Sequence, residues 1–173
     1  MSQFHRLVET EIPRLRRYAR ALTRSADRAD DLVQETLVRA IAKSHLWQAG
    51  TDIRAWLFTI MHNQHVNMVR RAMRDEATAD IEQMSSSLAA ITDPTASRQL
   101  RELETALARL SGEQRELILL VGLEGMSYEA AGQILDVPVG TVRSRLSRGR
   151  DALRQLMDMP ERTRTPDRFA EAA

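Results

Sequence analysis

The sequence contains no cysteine. That absence excludes a disulfide framework, a thiolate-ligated zinc or iron–sulfur site, and a cysteine nucleophile. Long apolar runs are missing too. Stretches such as residues 117–122 fall far short of the ~20 apolar residues of a membrane-spanning helix. The residues after Met1 are polar and charged, unlike a secretory signal. The expectation is a cytoplasmic protein without membrane insertion. Glycine (7) and proline (5) are scarce and aromatic residues make up 4%. β-Branched runs are few, and the apolar periodicity is helical nearly throughout. The expected fold class is all-α. Lysine occurs only at Lys43, so nearly all of the 25 basic side chains are arginine. Arginine suits bidentate contacts to phosphate and guanine, although a GC-rich genome yields the same bias.

Hydrophobic residues make up 43% and charged residues 28% of the 173, as in a globular chain forming one medium or two small domains. The net charge of +1 by itself discourages a nucleic-acid partner. Its distribution says more. Residues 1–74 carry 13 basic and 7 acidic side chains, a net of +6. Residues 75–97 carry five acidic side chains and no basic one, with three serines at 85–87 and a proline at 94. That stretch reads as a flexible acidic linker. Residues 98–157 carry 9 basic and 8 acidic side chains, and residues 158–173 carry 3 and 4. The expected organisation is a basic first module, an acidic tether, a second module, and a polar, disordered tail.

In the first module, residues 4–42 read as two or three helices, with Pro13 interrupting the first. A loop follows at residues 47–52, then a helix over 53–74. In the second module, helices are expected at 98–110, 113–123, 128–135 and 139–157. Ser111 and Ser127 are N-cap candidates. Asp136-Val137-Pro138 is a break. Residues 127–154 thus place a short helix, a tight turn and a longer helix at helix-turn-helix spacing. On the last helix, Val142, Leu146, Leu153 and Leu156 form an apolar stripe. Thr141, Ser144, Ser147, Arg148 and Asp151 fall opposite it. Arg143, Arg145, Arg150 and Arg154 lie along the flanks. An anchored back, a short polar front and arginines in reach of bases or phosphates are what a recognition helix needs.

Three segments of the second module sharpen this: Glu113-Gln114-Arg115-Glu116, residues 125–131, and Gly140-Thr141-Val142-Arg143-Ser144-Arg145-Leu146. Together they resemble region 4 of the extracytoplasmic-function (ECF) sigma factors. In the first module, residues 30–40 resemble their region 2.2. Residues 54–60, with Asn63, resemble regions 2.3 and 2.4. The resemblance covers about residues 5–156, with both modules in the family's order. It implies sigma region 2 at 1–74, a linker at 75–97, and region 4 at 98–157. The implied function is an alternative sigma factor that binds core RNA polymerase through the β′ clamp helices and β flap. It would direct initiation at −10 and −35 promoter elements as a monomer, under control of an anti-sigma factor. The similarity is strongest to a general-stress subgroup.

The resemblance also assigns residues. On the helix at 30–41, Leu32, Val33, Leu37, Ala40 and Ile41 form the apolar face. Asp31, Gln34, Glu35 and Val38 lie across from it and are the expected polymerase-docking surface. The loop between Trp47 and Trp56, with Gly50, Thr51 and Asp52, corresponds to the one that captures a base flipped from the −10 element. Trp47 can serve as a stacking platform or a core anchor; Trp56 reads as a core anchor. Thr59, Asn63, Asn67 and Arg70 form a polar stripe expected to track −10 DNA. Thr141, Arg143, Ser144, Arg145, Ser147 and Arg148 are expected at the −35 element.

Other constellations carry less. His62 and His65 sit three apart but lack further ligands at suitable spacing, so no metal is expected. Met61, Met68, Met73, Met126, Met157 and Met159 read as gap-filling core or helix-end residues. No phosphate-cradling glycine loop or catalytic triad stands out; neither an enzyme nor a cofactor is expected. A dimeric helix-turn-helix repressor would instead require palindromic operators.

Overall fold

Serine hydroxyls set three of the helix starts. Ser25 accepts from the Arg28 amide, Ser111 from Gln114 and Ser127 from Ala130, each relieving one of the free amides of a first turn. The computed structural model describes residues 3–76 and 94–158. The chain divides into two units, Met1–Ser87 and Leu88–Ala173.

The first unit is built from α1 (Gln3–Thr23), α2 (Ala26–Ala42), a single 3-10 turn at Ser44–Leu46, and α3 (Ile53–Glu76). The three α-helices pack on one another pairwise. Leu15, Tyr18 and Ala19 of α1, Leu32 and Ala40 of α2, and Leu57, Phe58 and Met61 of α3 are essentially inaccessible to solvent. The Tyr18 and Phe58 rings meet edge to face at 4.9 Å. Each fully buried large side chain contributes about 1.5–3 kcal/mol through transfer from water. Arg24, at φ 57°, makes the left-handed turn from α1 into α2.

Pro13 does not interrupt α1, contrary to expectation: the helix runs unbroken through it. Pro13 and Glu9, whose carbonyl loses its partner amide, are both solvent-exposed residues. Water can therefore replace the missing hydrogen bond, which a buried proline would forfeit outright. Ile41 is a second correction. It is 51% exposed rather than part of the core face. At 3.6 residues per turn it lies roughly 60° from exposed Val38 and well away from the buried stripe.

The second unit contains α4 (Pro94–Arg109), α5 (Gly112–Ile118), α6 (Tyr128–Leu135) and α7 (Val139–Leu156). Pro94 suits a helix start, where its missing amide costs nothing. The helix expected over 113–123 is not uniform: its last five residues, Leu119–Leu123, widen into a π-turn. Leu119, Leu120 and Val121 are all buried there. The Arg115 guanidinium donates to the carbonyls of Leu107, Ala108 and Leu110 at 2.8, 2.9 and 3.1 Å. It thereby closes the C-terminal end of α4, where carbonyls have no helical partner. Helical backbone also covers residues 75–76 and 94–97 of the expected linker; its remainder, 77–93, and the tail 159–173 lie outside the described residues.

The turn between α6 and α7 holds Asp136 in the left-handed region at φ 54°, and Pro138 precedes the first turn of α7. Its backbone lies directly on α6. The Val137 amide donates to the Gly132 carbonyl at 2.9 Å. A Cβ at Gly132 would stand 2.8 Å from the Val137 carbonyl oxygen. Alanine there regains at most about 1 kcal/mol of helix propensity, while the clash with fixed backbone costs more. Gly132→Ala is expected to destabilise the second unit by about 1–3 kcal/mol, read as a lower denaturation midpoint by circular dichroism. A variant as stable as the parent would show that the turn can move off α6.

Candidate nucleic-acid interface

Helix α7 is fixed from behind. Val142 and Leu146 are 0% and 2% exposed. One turn further on, Gly149 is buried where a side chain would crowd those of α5. A Cβ there would lie 3.1 Å from Ile118 Cδ1 and 3.2 Å from Gln114 Cβ. Sequence reasoning passed over both Gly132 and Gly149; a glycine inside a helical pattern is the signal that marks such contacts.

The opposite side of α7 faces outward. Arg143, Ser144, Ser147 and Arg148 are exposed and Thr141 is half-buried. The Ser144 hydroxyl donates to the Thr141 carbonyl at 3.1 Å, and Arg148 Nε to the Ser144 carbonyl at 3.3 Å. Arg145 is drawn to α5 instead, with its Nη2 3.3 Å from Glu113 Oε2. Arg150, expected on the DNA-facing flank, leans over α6 with Nη1 3.5 Å from the Tyr128 hydroxyl. Arg154 pairs with Asp151 at 2.9 Å.

In the first unit, the loop at residues 47–52 closes on itself. The Thr51 amide and hydroxyl both donate to the Gln48 carbonyl, at 3.1 and 2.7 Å. Gly50 takes φ 92°, which only glycine adopts without strain. Asp52 caps α3: its Oδ1 accepts from the Arg54 and Ala55 amides at 2.9 and 3.2 Å. Thr59 turns its hydroxyl to its own helix, onto the Ala55 carbonyl at 2.9 Å. Asn63, Asn67 and Arg70 are exposed along α3. Asn67 and Arg70 share an open depression with Arg71, Met73 and Arg74. Trp47 and Trp56 are half-buried, and both rings rest against Phe4 of α1. That contact was not foreseen.

On α2, Asp31 and Gln34 are exposed, Glu35 is half-buried, and Val38 is 66% exposed. Exposed Ile41 and Leu46 enlarge the apolar part of this surface. Among the methionines, Met61 and Met126 are buried, whereas Met73 is 67% exposed and is not a core residue. No group of three or more His, Asp and Glu among the described residues is placed to hold a metal ion. No described helix is long and apolar enough to cross a membrane.

Residues 8–62 match the family profile described as the Sigma2 domain of PhyR, and residues 100–153 match sigma-70 region 4. Over 146 residues the chain is 42% identical to the ECF RNA polymerase sigma factor EcfG of Rhodopseudomonas palustris (strain TIE-1), spanning 84% of this chain and 80% of that one. The chain belongs to the ECF RNA polymerase sigma factors. The fold agrees. The sigma factor RpoE of Bartonella quintana, solved in complex with the anti-sigma factor NepR, superposes with a TM-score of 0.79 at 35% identity, over 93% of this chain and all of that one. CnrH, solved with the cytosolic domain of CnrY, gives 0.65 at 28% identity, over 90% and 87% of the two chains. As an ECF sigma factor, the protein binds core RNA polymerase and directs initiation at promoters with −10 and −35 elements.

The Arg145–Glu113 pair decides whether Arg145 is structural or available to DNA. Glu113 is 67% exposed, and exposed pairs contribute little. Glu113→Gln is expected to change unfolding free energy by no more than about 0.5 kcal/mol. A larger loss in chemical denaturation would make Arg145 part of the scaffold.

Proposed function

We propose that the ECF sigma factor divides promoter recognition between its two units. The second unit reads the −35 element as duplex, with α7 in the major groove. The observation that carries this reading is the pose of α7: Val142, Leu146 and Gly149 are buried, while Arg143, Ser144, Ser147 and Arg148 are exposed. Short serines let the helix approach base edges, and the arginines reach guanine or phosphate. The first unit docks on polymerase through Asp31, Gln34, Glu35 and Val38 of α2. Its 47–52 loop and the Asn63, Asn67 and Arg70 stripe hold the melted −10 strand. The chemistry of RNA synthesis stays with the polymerase, and the protein acts beside it in the cytoplasm.

Control by an anti-sigma factor belongs to the same reading. It is supported by two structural relatives solved with anti-sigma partners or their cytosolic domains. The acidic segment at 75–97 serves as the tether. Two weak DNA contacts gain effective concentration only when polymerase holds both units at promoter spacing. The isolated chain accordingly binds promoter DNA poorly.

Two substitutions separate the roles. Arg148→Ala should lower −35-dependent transcription by an amount corresponding to about 1–3 kcal/mol and leave core binding intact. Val38→Asp should weaken assembly with core polymerase while changing stability by less than about 0.5 kcal/mol, as surface changes do. Reconstituted in vitro transcription and a core-binding titration read both. Loss of core binding in Arg148→Ala, with −35 selection kept, would overturn the division.

A further inference from the structure

The base-capturing loop is bracketed by the protein's two tryptophans, Trp47 at its start and Trp56 in the first turn of α3. One side chain from outside the loop touches both. Phe4, on the first turn of α1, has its ring centroid 5.7 Å from that of Trp47, at an interplanar angle of 50°. It lies 5.9 Å from that of Trp56, at 76°. Such tilted and edge-on geometries are favourable for aromatic pairs. Phe4 is 7% exposed, whereas Gln3, His5 and Arg6 around it are exposed.

The loop has little else to hold it. Residues 48–52 are all exposed, and their hydrogen bonds are local, within the loop or onto the start of α3. The Trp47 indole N–H is buried with no acceptor among the described residues. Ring packing, not a hydrogen bond, therefore fixes the Trp47 side chain. The contact is long-range in sequence and ties the start of α1 to both ends of the loop.

We propose that Phe4 is a positioning residue for −10 recognition, a wedge that sets the spacing of Trp47 and Trp56 and so the shape of the loop between them. The proposal rests on the reading of that loop as the base-capturing element. Phe4 itself is buried and touches no DNA. It acts through placement, because discrimination between bases requires the receiving groups to be held to within about 0.5 Å. A smaller side chain lets the two indoles approach, and the loop then stacks on any base without selecting one. Stacking is tolerant of base identity, whereas selection is not.

The test uses holoenzyme reconstituted with the full chain. Abortive initiation is measured on promoters with a premelted −10 region, with each of the four bases at each non-template position. Phe4→Ala should reduce base discrimination roughly tenfold at the captured position. Discrimination at the −35 element and affinity for core polymerase should stay at wild-type values. Phe4→Tyr keeps the ring and should restore selection. Because Trp47 and Trp56 are the only tryptophans, emission of the free chain reports the wedge directly; Phe4→Ala should shift it to the red and Phe4→Tyr should not. If Phe4→Ala fails to fold, Phe4→Leu takes its place in the same comparison. Wild-type base ratios in the alanine variant would overturn the proposal. So would a uniform loss across −10 and −35 templates, which marks a general structural role. A wild-type holoenzyme that shows no −10 preference, yet transcribes from the −35 element, would overturn the loop reading and the wedge with it.

Discussion

Two close contacts at glycines, one against backbone and one against side chains, decide how α7 is carried. At Gly132, the turn before α7 lies on the helix behind it; at Gly149, α5 lies on α7 itself. Helices normally pack 8–10 Å apart with side chains filling the gap. Here the glycines leave that space to Ile118 and Gln114 and to the Val137 carbonyl, and the outward face of α7 is set by these close contacts. Everything proposed for the −35 element assumes this fixed presentation. A recognition helix free to rotate would average its arginines over several registers and read none.

Most of the charge lies outside the core, although Glu116 and Glu124 are buried. Exposed ion pairs, such as Arg98–Glu102 at 2.8 Å, contribute little to stability. Burial of aliphatic and aromatic side chains dominates instead. Arg143 and Arg148 stay exposed on α7, whereas the Arg115 guanidinium is spent on the end of α4. Placing a net of +6 in the first 74 residues and five acidic side chains in the segment after them keeps the total near neutral.

Features with a local cause were legible in the sequence. Ser111 and Ser127 cap their helices because a hydroxyl three residues before an amide meets it wherever the chain turns helical. The break at residues 136–138 and the exposure of Val38 follow equally from short-range pattern. What the sequence left hidden depends on distant neighbours. Pro13 continues a helix because its side of α1 faces water. Ile41 leaves the core because α2 presents only one stripe to its partners. The π-turn at Leu119–Leu123 accompanies three successive buried side chains, which ordinary helical periodicity does not anticipate. Arg145 and Arg150 could be placed on the flanks of α7, but not paired, without knowing where α5 and α6 lie. Phe4 reads as an isolated aromatic until its two indole neighbours, more than forty residues away, are brought to it.

Lys43 closes the end of α2 and is exposed, in the same stretch of chain as exposed Val38, Ile41 and Leu46. It is the chain's single lysine. Apart from the α-amine, every amine-directed chemistry, whether enzymatic acylation or a laboratory crosslinker, converges on that one ammonium group. The arginine-rich remainder of the surface is invisible to such reagents. Acylation at this position would remove one positive charge just past α2 while Arg39, next to Val38, keeps its own, and would leave both proposed DNA-reading surfaces chemically unchanged.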